Sequence, residues 1–175
     1  MKNKNNIVNV YSNGYLKIQN ILFKCSLGKN NIKKHKIEGD YSTPSGKFKI
    51  VKIFYRADKI KNISSLFKLY KIKKNDGWCD DINARKYNRY IKLPCSYSHE
   101  KLWRNDKIYD VIIVLDYNYK STIRGKGSAI FIHIKRGNYE PTKGCIGISK
   151  KNITLLLKKI SQKTIIKINK FSLKK

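Results

Sequence analysis

Over most of its length the chain switches between apolar and polar residues every second position, the period of a half-buried strand. IVNVY and YLKIQ alternate in this way on either side of Asn13-Gly14. An Asn-Gly pair between two such runs predicts a hairpin closed by a type I′ turn. ILFKCSLG (21–28) and KFKIVKIF (47–54) predict two more strands, and the polar stretch between them ends in Thr43-Pro44-Ser45-Gly46. Residues 57–88 are irregular, and only the apolar patch 63–70 admits a helix. Two blocks then lose the alternation: YDVIIVLDY (109–117) and SAIFIHI (128–134), joined by a loop with Gly125 and Gly127. Their β-branched residues predict central strands. The period changes once. Ser149 can cap a helix running to Ser161, in which Ile153, Leu156, Leu157 and Ile160 share one face. KTIIKIN (163–169) returns to strand. The sum is a mainly β chain with one helix at about 149–161, its sheet antiparallel or mixed and folded into a sandwich or barrel. A length of 175 residues suits one domain over 1–175.

The candidate chemistry lies between Gly127 and Ser149. His133 ends an apolar run, and twelve positions later a Gly144-Cys145 turn leads into another apolar stretch. Cysteine attacks as thiolate, and an imidazole within reach can hold it in that form. Backbone N–H groups around the turn can face a developing oxyanion. Spacing alone leaves a second reading open, in which Cys145 is a small buried apolar residue and His133 a satisfied strand residue. Cys79 is a weaker nucleophile candidate, because Asp80 and Asp81 beside it disfavour a thiolate. His35 and His99 sit in polar segments and are expected at the surface. Cys25, Cys79, Cys95 and Cys145 lack paired CxxC spacing, so neither a disulfide framework nor a metal site is expected.

The wider string resembles the catalytic domain of L,D-transpeptidases, the YkuD fold. His133 followed by Thr142-Lys143-Gly144-Cys145-Ile146 is similar to that family's His, variable stretch, Ser/Thr-x-Gly-Cys pattern. EGDYSTPSGKF (38–48) resembles its Thr-Pro-x-Gly element. DGWCDD (76–81), YNRYIKLP (87–94), SHEKLW (98–103), YDVIIVL (109–115) and GSAIFIH (127–133) resemble a compact bacterial branch. The resemblance covers about residues 20–168. Many members carry His before Gly-Cys and Arg two places after Cys, where this chain has Lys143 and Gly147; many have Gly or Ser after the first His, where this chain has Ile134.

The resemblance implies a β-sandwich or barrel-like L,D-transpeptidase catalytic domain with Cys145 and His133 at one end. It implies cofactor-free acyl transfer with Cys145 as nucleophile and His133 as base. The backbone of Gly144 would serve the oxyanion, and the carbonyl of Ile134 would orient His133. The donor would be a peptidoglycan tetrapeptide stem, cleaved at the L-centre of diaminopimelate with release of D-alanine, and the acceptor an amine of a second stem. Water as acceptor makes the same enzyme an L,D-carboxypeptidase, and another cysteine amidase would use the same pair. Stems carry carboxylates, so Lys143 and Arg136, with Thr142 and Tyr139, are expected around the substrate. Glu140 reads as a solvated turn residue, and Trp78 and Trp103 as packing. A monomer is expected.

Charge changes the picture least. The net +29 comes from 40 basic and 11 acidic residues, which suggests attraction to polyanions. Yet lysine outnumbers arginine 34 to 6 and is spread along the whole chain, as an AT-rich coding bias would produce. Arginine is the residue of bidentate base contacts, and no helix-turn-helix or RNA-recognition pattern is present. Non-specific attraction is expected, and no specific nucleic-acid partner; a basic nucleic-acid-binding protein in which Cys145 is inert is the remote alternative. No run reaches the roughly 18–20 apolar residues of a membrane span. The family implies the cell envelope or periplasm. The first twenty residues hold no continuous apolar stretch and no small-residue cleavage site, which leaves a cytoplasmic location open.

Overall fold

The computed structural model describes residues 7–173. β1 (Ile7–Tyr11), β2 (Tyr15–Ile18) and β3 (Ile21–Ser26) form an antiparallel meander. The first hairpin has three loop residues instead of two: Tyr11 pairs with Tyr15, and Gly14, at φ 78°, donates its N–H to Tyr11 O at 3.1 Å. One left-handed glycine therefore closes it, in place of the type I′ pair. β4 (Ile32–Lys33) and β5 (Thr43–Pro44) pair only with each other. The chain continues through β6 (Gly46–Tyr55), β7 (Leu69–Lys71), β8 (Asp76–Cys79), β9 (Arg89–Lys92) and β10 (His99–Lys101). It closes with β11 (Val111–Leu115), β12 (Phe131–Ile134), β13 (Ile146–Ile148), α1 (Lys150–Leu157) and β14 (Ile165–Ile168).

Eight strands make a barrel-like ring in the order β11-β12-β13-β3-β2-β1-β14-β6, and β6 pairs back with β11. The length of β6 allows this. Its residues 46–49 pair with β14 and 50–55 with β11, while β7 takes up its far edge. The sheet is mixed, with parallel pairs β1–β14, β12–β13 and β6–β7. A separate three-stranded sheet, β10-β8-β9, lies outside the ring.

Two local expectations differ from the structure. Residues 63–70 form no helix: Ser65 Oγ accepts the N–H of Phe67 at 3.0 Å, and Phe67 and Leu69 pack on the barrel core, so the patch runs into β7. Such hydroxyl-to-backbone bonds compete with helical ones. The helix after Ser149 ends at Leu157, although Ile160 is still fully buried beyond it. Its start is as expected, with Ser149 Oγ accepting from Asn152 N at 3.2 Å.

Period-two alternation decides what faces where. Ile113, Leu115, Ile132 and Ile134 point into the barrel with Ile146, Ile148 and the α1 residues Ile153, Leu156 and Leu157. Ile112, Val114 and Phe131 point outward, and Trp78 and Leu102 of the second sheet's region cover them. Trp78 meets Phe131 edge-on at 5.3 Å and anchors its Nε1–H on Asn88 Oδ1 at 3.0 Å. Thus β11 and β12 are covered on both faces, and residues on the outward face of β12 lie between two layers.

Candidate active site

β12 and β13 run parallel, with Ile132 opposite Ile146 and His133 opposite Gly147. Cys145 stands one residue before β13, so alternation turns it to the same outward face as His133. Its Sγ accepts the N–H of Phe131 at 3.3 Å and donates to Ala129 O at 3.3 Å. His133 is 6% exposed and packs edge-on against the ring of Tyr109 at 5.6 Å. Its Nδ1 lies 2.9 Å from Ile134 O. A carbonyl only accepts, so Nδ1 carries the proton and Nε2 keeps the lone pair. Nε2 has no partner among the described residues. Both side chains line a cleft of about 540 Å³ between the barrel wall and the second sheet.

The turn before Cys145 is shaped by two residues. Gly144 sits at φ 141°, and a Cβ there would lie 2.8 Å from Ser42 O, so only glycine fits. Thr142 Oγ1 accepts the N–H of Gly144 at 3.0 Å and donates to Cys145 O at 2.6 Å. Thr142 is itself tied to the end of β3 by its N–H on Leu27 O at 2.8 Å. With the Gly144 N–H taken inside the turn, the N–H of Cys145 is left without an acceptor among the described residues.

The sequence model of the YkuD family, the L,D-transpeptidase catalytic domain, matches residues 2–168. The chain belongs to this family. Its fold is similar to the crystal structure of the helical cell shape determining protein Pgp2 from Campylobacter jejuni. That match has a TM-score of 0.51 and 16% identity, over 95% of this chain and 48% of that one. The K307A mutant of the same protein matches with a TM-score of 0.45 and 16% identity, over 96% and 48%. The chain thus spans about half the length of that protein. No curated protein matches it.

In this L,D-transpeptidase domain burial acts on both Cys145 and His133. Burial, with a smaller push from the Glu100 charge, raises the Cys145 thiol to about 12, against the opposing pull of the Phe131 N–H and the Lys36 charge. Burial also pulls His133 down to about 4, opposed by its bond to Ile134 O. Burial thus favours a thiol and a neutral imidazole over the expected imidazole-held thiolate.

Lys143 and Arg136 line the cleft, and Arg136 pairs with Glu140 at 3.4 Å. Thr142 lines it too, but both capacities of its hydroxyl are engaged in the turn. Tyr139 does not line it; its ring lies between the ammonium groups of Lys24 and Lys135, at 5.0 and 4.8 Å. Trp103 lies under the Arg56 guanidinium at 3.5 Å. Cys79 is fully buried, and burial first, then Asp80 and Asp81, push its thiol up. His35 is exposed, whereas His99 is half-buried with Nδ1 3.5 Å from Cys95 Sγ.

Among the cleft residues that escaped the sequence reading are Lys36, Glu38, Glu100, Arg104 and Tyr109. The Lys36 ammonium is buried and held by Asp40 at 2.8 Å and Ile37 O at 3.0 Å. Tyr109, 8% exposed, directs its hydroxyl to Glu100 Oε2 at 3.5 Å. Arg104 is clamped by Asp106 at 2.6 Å. The one available signal was the i, i+4 spacing of Lys36 and Asp40 just before Thr43-Pro44. At Gly147, where many relatives carry arginine, a Cβ would lie 2.4 Å from Ser26 Oγ and 3.2 Å from Lys135 Cα. Among the described residues no three His, Cys, Asp or Glu side chains converge to hold a metal, and no helix is long and apolar enough to cross a membrane.

Proposed function

We propose that this domain is a cysteine-dependent peptidoglycan L,D-transpeptidase working at the cell wall, with Cys145 as nucleophile and His133 as base. The observation that carries the reading is the shared outward face of β12 and β13. It sets the thiol and the unpartnered His133 Nε2 in one cleft, with Nδ1 fixed on Ile134 O at 2.9 Å. Because the pair starts neutral, the proton passes from Sγ to Nε2 as sulfur attacks the carbonyl at the L-centre of diaminopimelate. The oxyanion takes the N–H of Cys145. The imidazolium then protonates the departing amine of D-alanine, leaving a thioester. An amine of a second stem attacks that thioester, His133 takes its proton, and the thiol is restored. Lys143 and Arg136 meet the donor's carboxylates at the lip of the cleft. Every group comes from one chain, so a monomer suffices.

Mass spectrometry of a disaccharide-tetrapeptide incubated with the protein tests this. Cross-linked dimer plus D-alanine is the expected result. D-Alanine alone would make the enzyme an L,D-carboxypeptidase, and an unchanged substrate would remove the reading. Cys145→Ala should abolish product, while Cys79→Ala retains most activity.

A further inference from the structure

The charges around the cleft are not distributed like those of the rest of the chain. Forty basic residues compete for eleven carboxylates, so an unpaired carboxylate needs an explanation. Asp40, Asp58, Asp76, Asp106, Asp110 and Glu140 each have a Lys or Arg within ion-pair distance. Five carboxylates have none among the described residues, and three of these five, Glu38, Asp80 and Glu100, line the cleft. Each is held by a neutral hydroxyl instead: Tyr87 on Glu38 at 2.5 Å, Ser98 on Asp80 at 2.6 Å and Tyr109 on Glu100 at 3.5 Å. A hydroxyl orients a carboxylate without cancelling its charge. By contrast, three of the four cations lining the cleft are already matched: Lys36 by Asp40, Arg104 by Asp106 and Arg136 by Glu140. The cleft therefore offers unmatched negative charge in a chain of net +29.

The wall is not a metal cage, since its carboxylates do not converge on one point. It does flank the reacting groups. Tyr109 bridges it to them, with its ring against His133 at 5.6 Å and its hydroxyl on Glu100. His133 Nε2, on a side chain that is 6% exposed and opens into the same cleft, is the unpartnered acceptor there.

We infer that Glu100 and Asp80, with Glu38 at the edge, form the acceptor half of the cleft, which receives a primary amine as its ammonium. This rests on the acyl-transfer reading above. The ammonium docks on Glu100 and gives one proton to solvent water, reaching the thioester carbon as free amine. As the N–C bond forms and the C–S bond breaks, His133 Nε2 takes the second proton and returns it to the Cys145 sulfur. Water has no charge for Glu100 to hold, so the wall favours aminolysis over hydrolysis.

The test reads the ratio of aminolysis to hydrolysis product from one donor tetrapeptide, against increasing meso-diaminopimelate as free amine. Glu100→Gln keeps shape and removes charge, and the ratio should fall about tenfold or more, as expected for loss of a charge-assisted hydrogen bond. Asp80→Asn should lower it less, and Glu100→Asp should restore part of it. An unchanged ratio in Glu100→Gln and Asp80→Asn overturns the assignment, as does a ratio in the unmutated enzyme that does not respond to amine. A second measurement does not depend on turnover. NMR titration of Cys145→Ala protein with the same diamine should give binding that Glu100→Gln weakens about tenfold and that acetylation of both amines abolishes. Equal binding of the acetylated compound would overturn the ammonium site. If the donor is not cleaved at all, the acyl-transfer reading fails, and this titration still decides what the wall binds.

Discussion

Alkylation of Cys145 by iodoacetamide should be slow at neutral pH and should rise about tenfold per pH unit without levelling off. A thiol pushed up to about 12 is ionised in only roughly one molecule in 100,000 at pH 7. An ordinary thiol near 8.5 is about 3% ionised under the same conditions. The more basic thiolate is the better nucleophile, which returns a factor of roughly 40 at a Brønsted slope of about 0.45. The net expectation is alkylation roughly 100-fold slower than that of a small free thiol. The assay is intact-protein mass against time between about pH 6 and pH 10, with peptide mapping to Cys145. A Cys95→Ser background removes the other accessible thiol, since Cys25 and Cys79 are buried. His133→Ala should change these alkylation rates by less than about threefold, because an imidazole near 4 is already neutral across the range. The same substitution should cut D-alanine release by about 10²–10⁴, the usual contribution of a general base. A rate that levels off between about pH 6 and pH 9, or thiolate ultraviolet absorbance at neutral pH, would refute the neutral pair.

Gly144→Ala should lose both stability and activity, since its Cβ would meet Ser42 O at 2.8 Å at φ 141°; thermal melting and D-alanine release check this. Thr142→Val removes both hydroxyl bonds of the turn, with an expected cost of about 1–2 kcal/mol in chemical denaturation and a drop of about tenfold in turnover; Thr142→Ser should recover both. His133 is held at about 4 in the folded chain against 6.5 ordinarily, so the unfolded chain takes the proton first as pH falls. Stability should therefore decline by about 3 kcal/mol between about pH 6.5 and pH 4 from this residue, and His133→Gln should remove that slope in pH-dependent denaturation. Mixed-sequence DNA should bind weakly and without preference, with affinity falling steeply as salt rises in a filter or anisotropy assay; tight binding to one sequence at physiological salt would contradict this.

Most barrel strands were legible because each has its own period or its own β-branched run; the three-residue β13, Ile146-Gly147-Ile148, read only as an apolar stretch. The His133 and Cys145 positions were legible because neighbouring strands deliver both, and one motif spans them. The second sheet was not. Asp76-Gly77-Trp78-Cys79 has no strand pattern, and β8 exists because distant groups satisfy it: Lys92 and Tyr90 on Asp76 at 2.5 and 2.6 Å, and Asn88 on Trp78. The ionisation state of the pair was also hidden. Residue types suggest a thiolate held by an imidazole, whereas burial, a property of the whole packed layer, disfavours the charged form of each. Glu100 escaped because its meaning lies in what it lacks, a cation within ion-pair distance among the described residues.

Gly147 bears on the order in which such a sequence can change. A side chain there would run into Ser26 Oγ and the backbone of Lys135, and Ser26 faces it across the β3–β13 pair. Arginine at 147, which many relatives carry, therefore needs this neighbourhood to yield. Ser26 must first become smaller or turn aside, a change that alone gains nothing and gives up a buried hydroxyl. The two positions are coupled: Ser26→Gly removes the nearer contact, and the Lys135 backbone must still give by a few tenths of an ångström before a side chain at 147 fits. A lineage that has settled on glycine here is held to it by a neighbour two strands from the histidine.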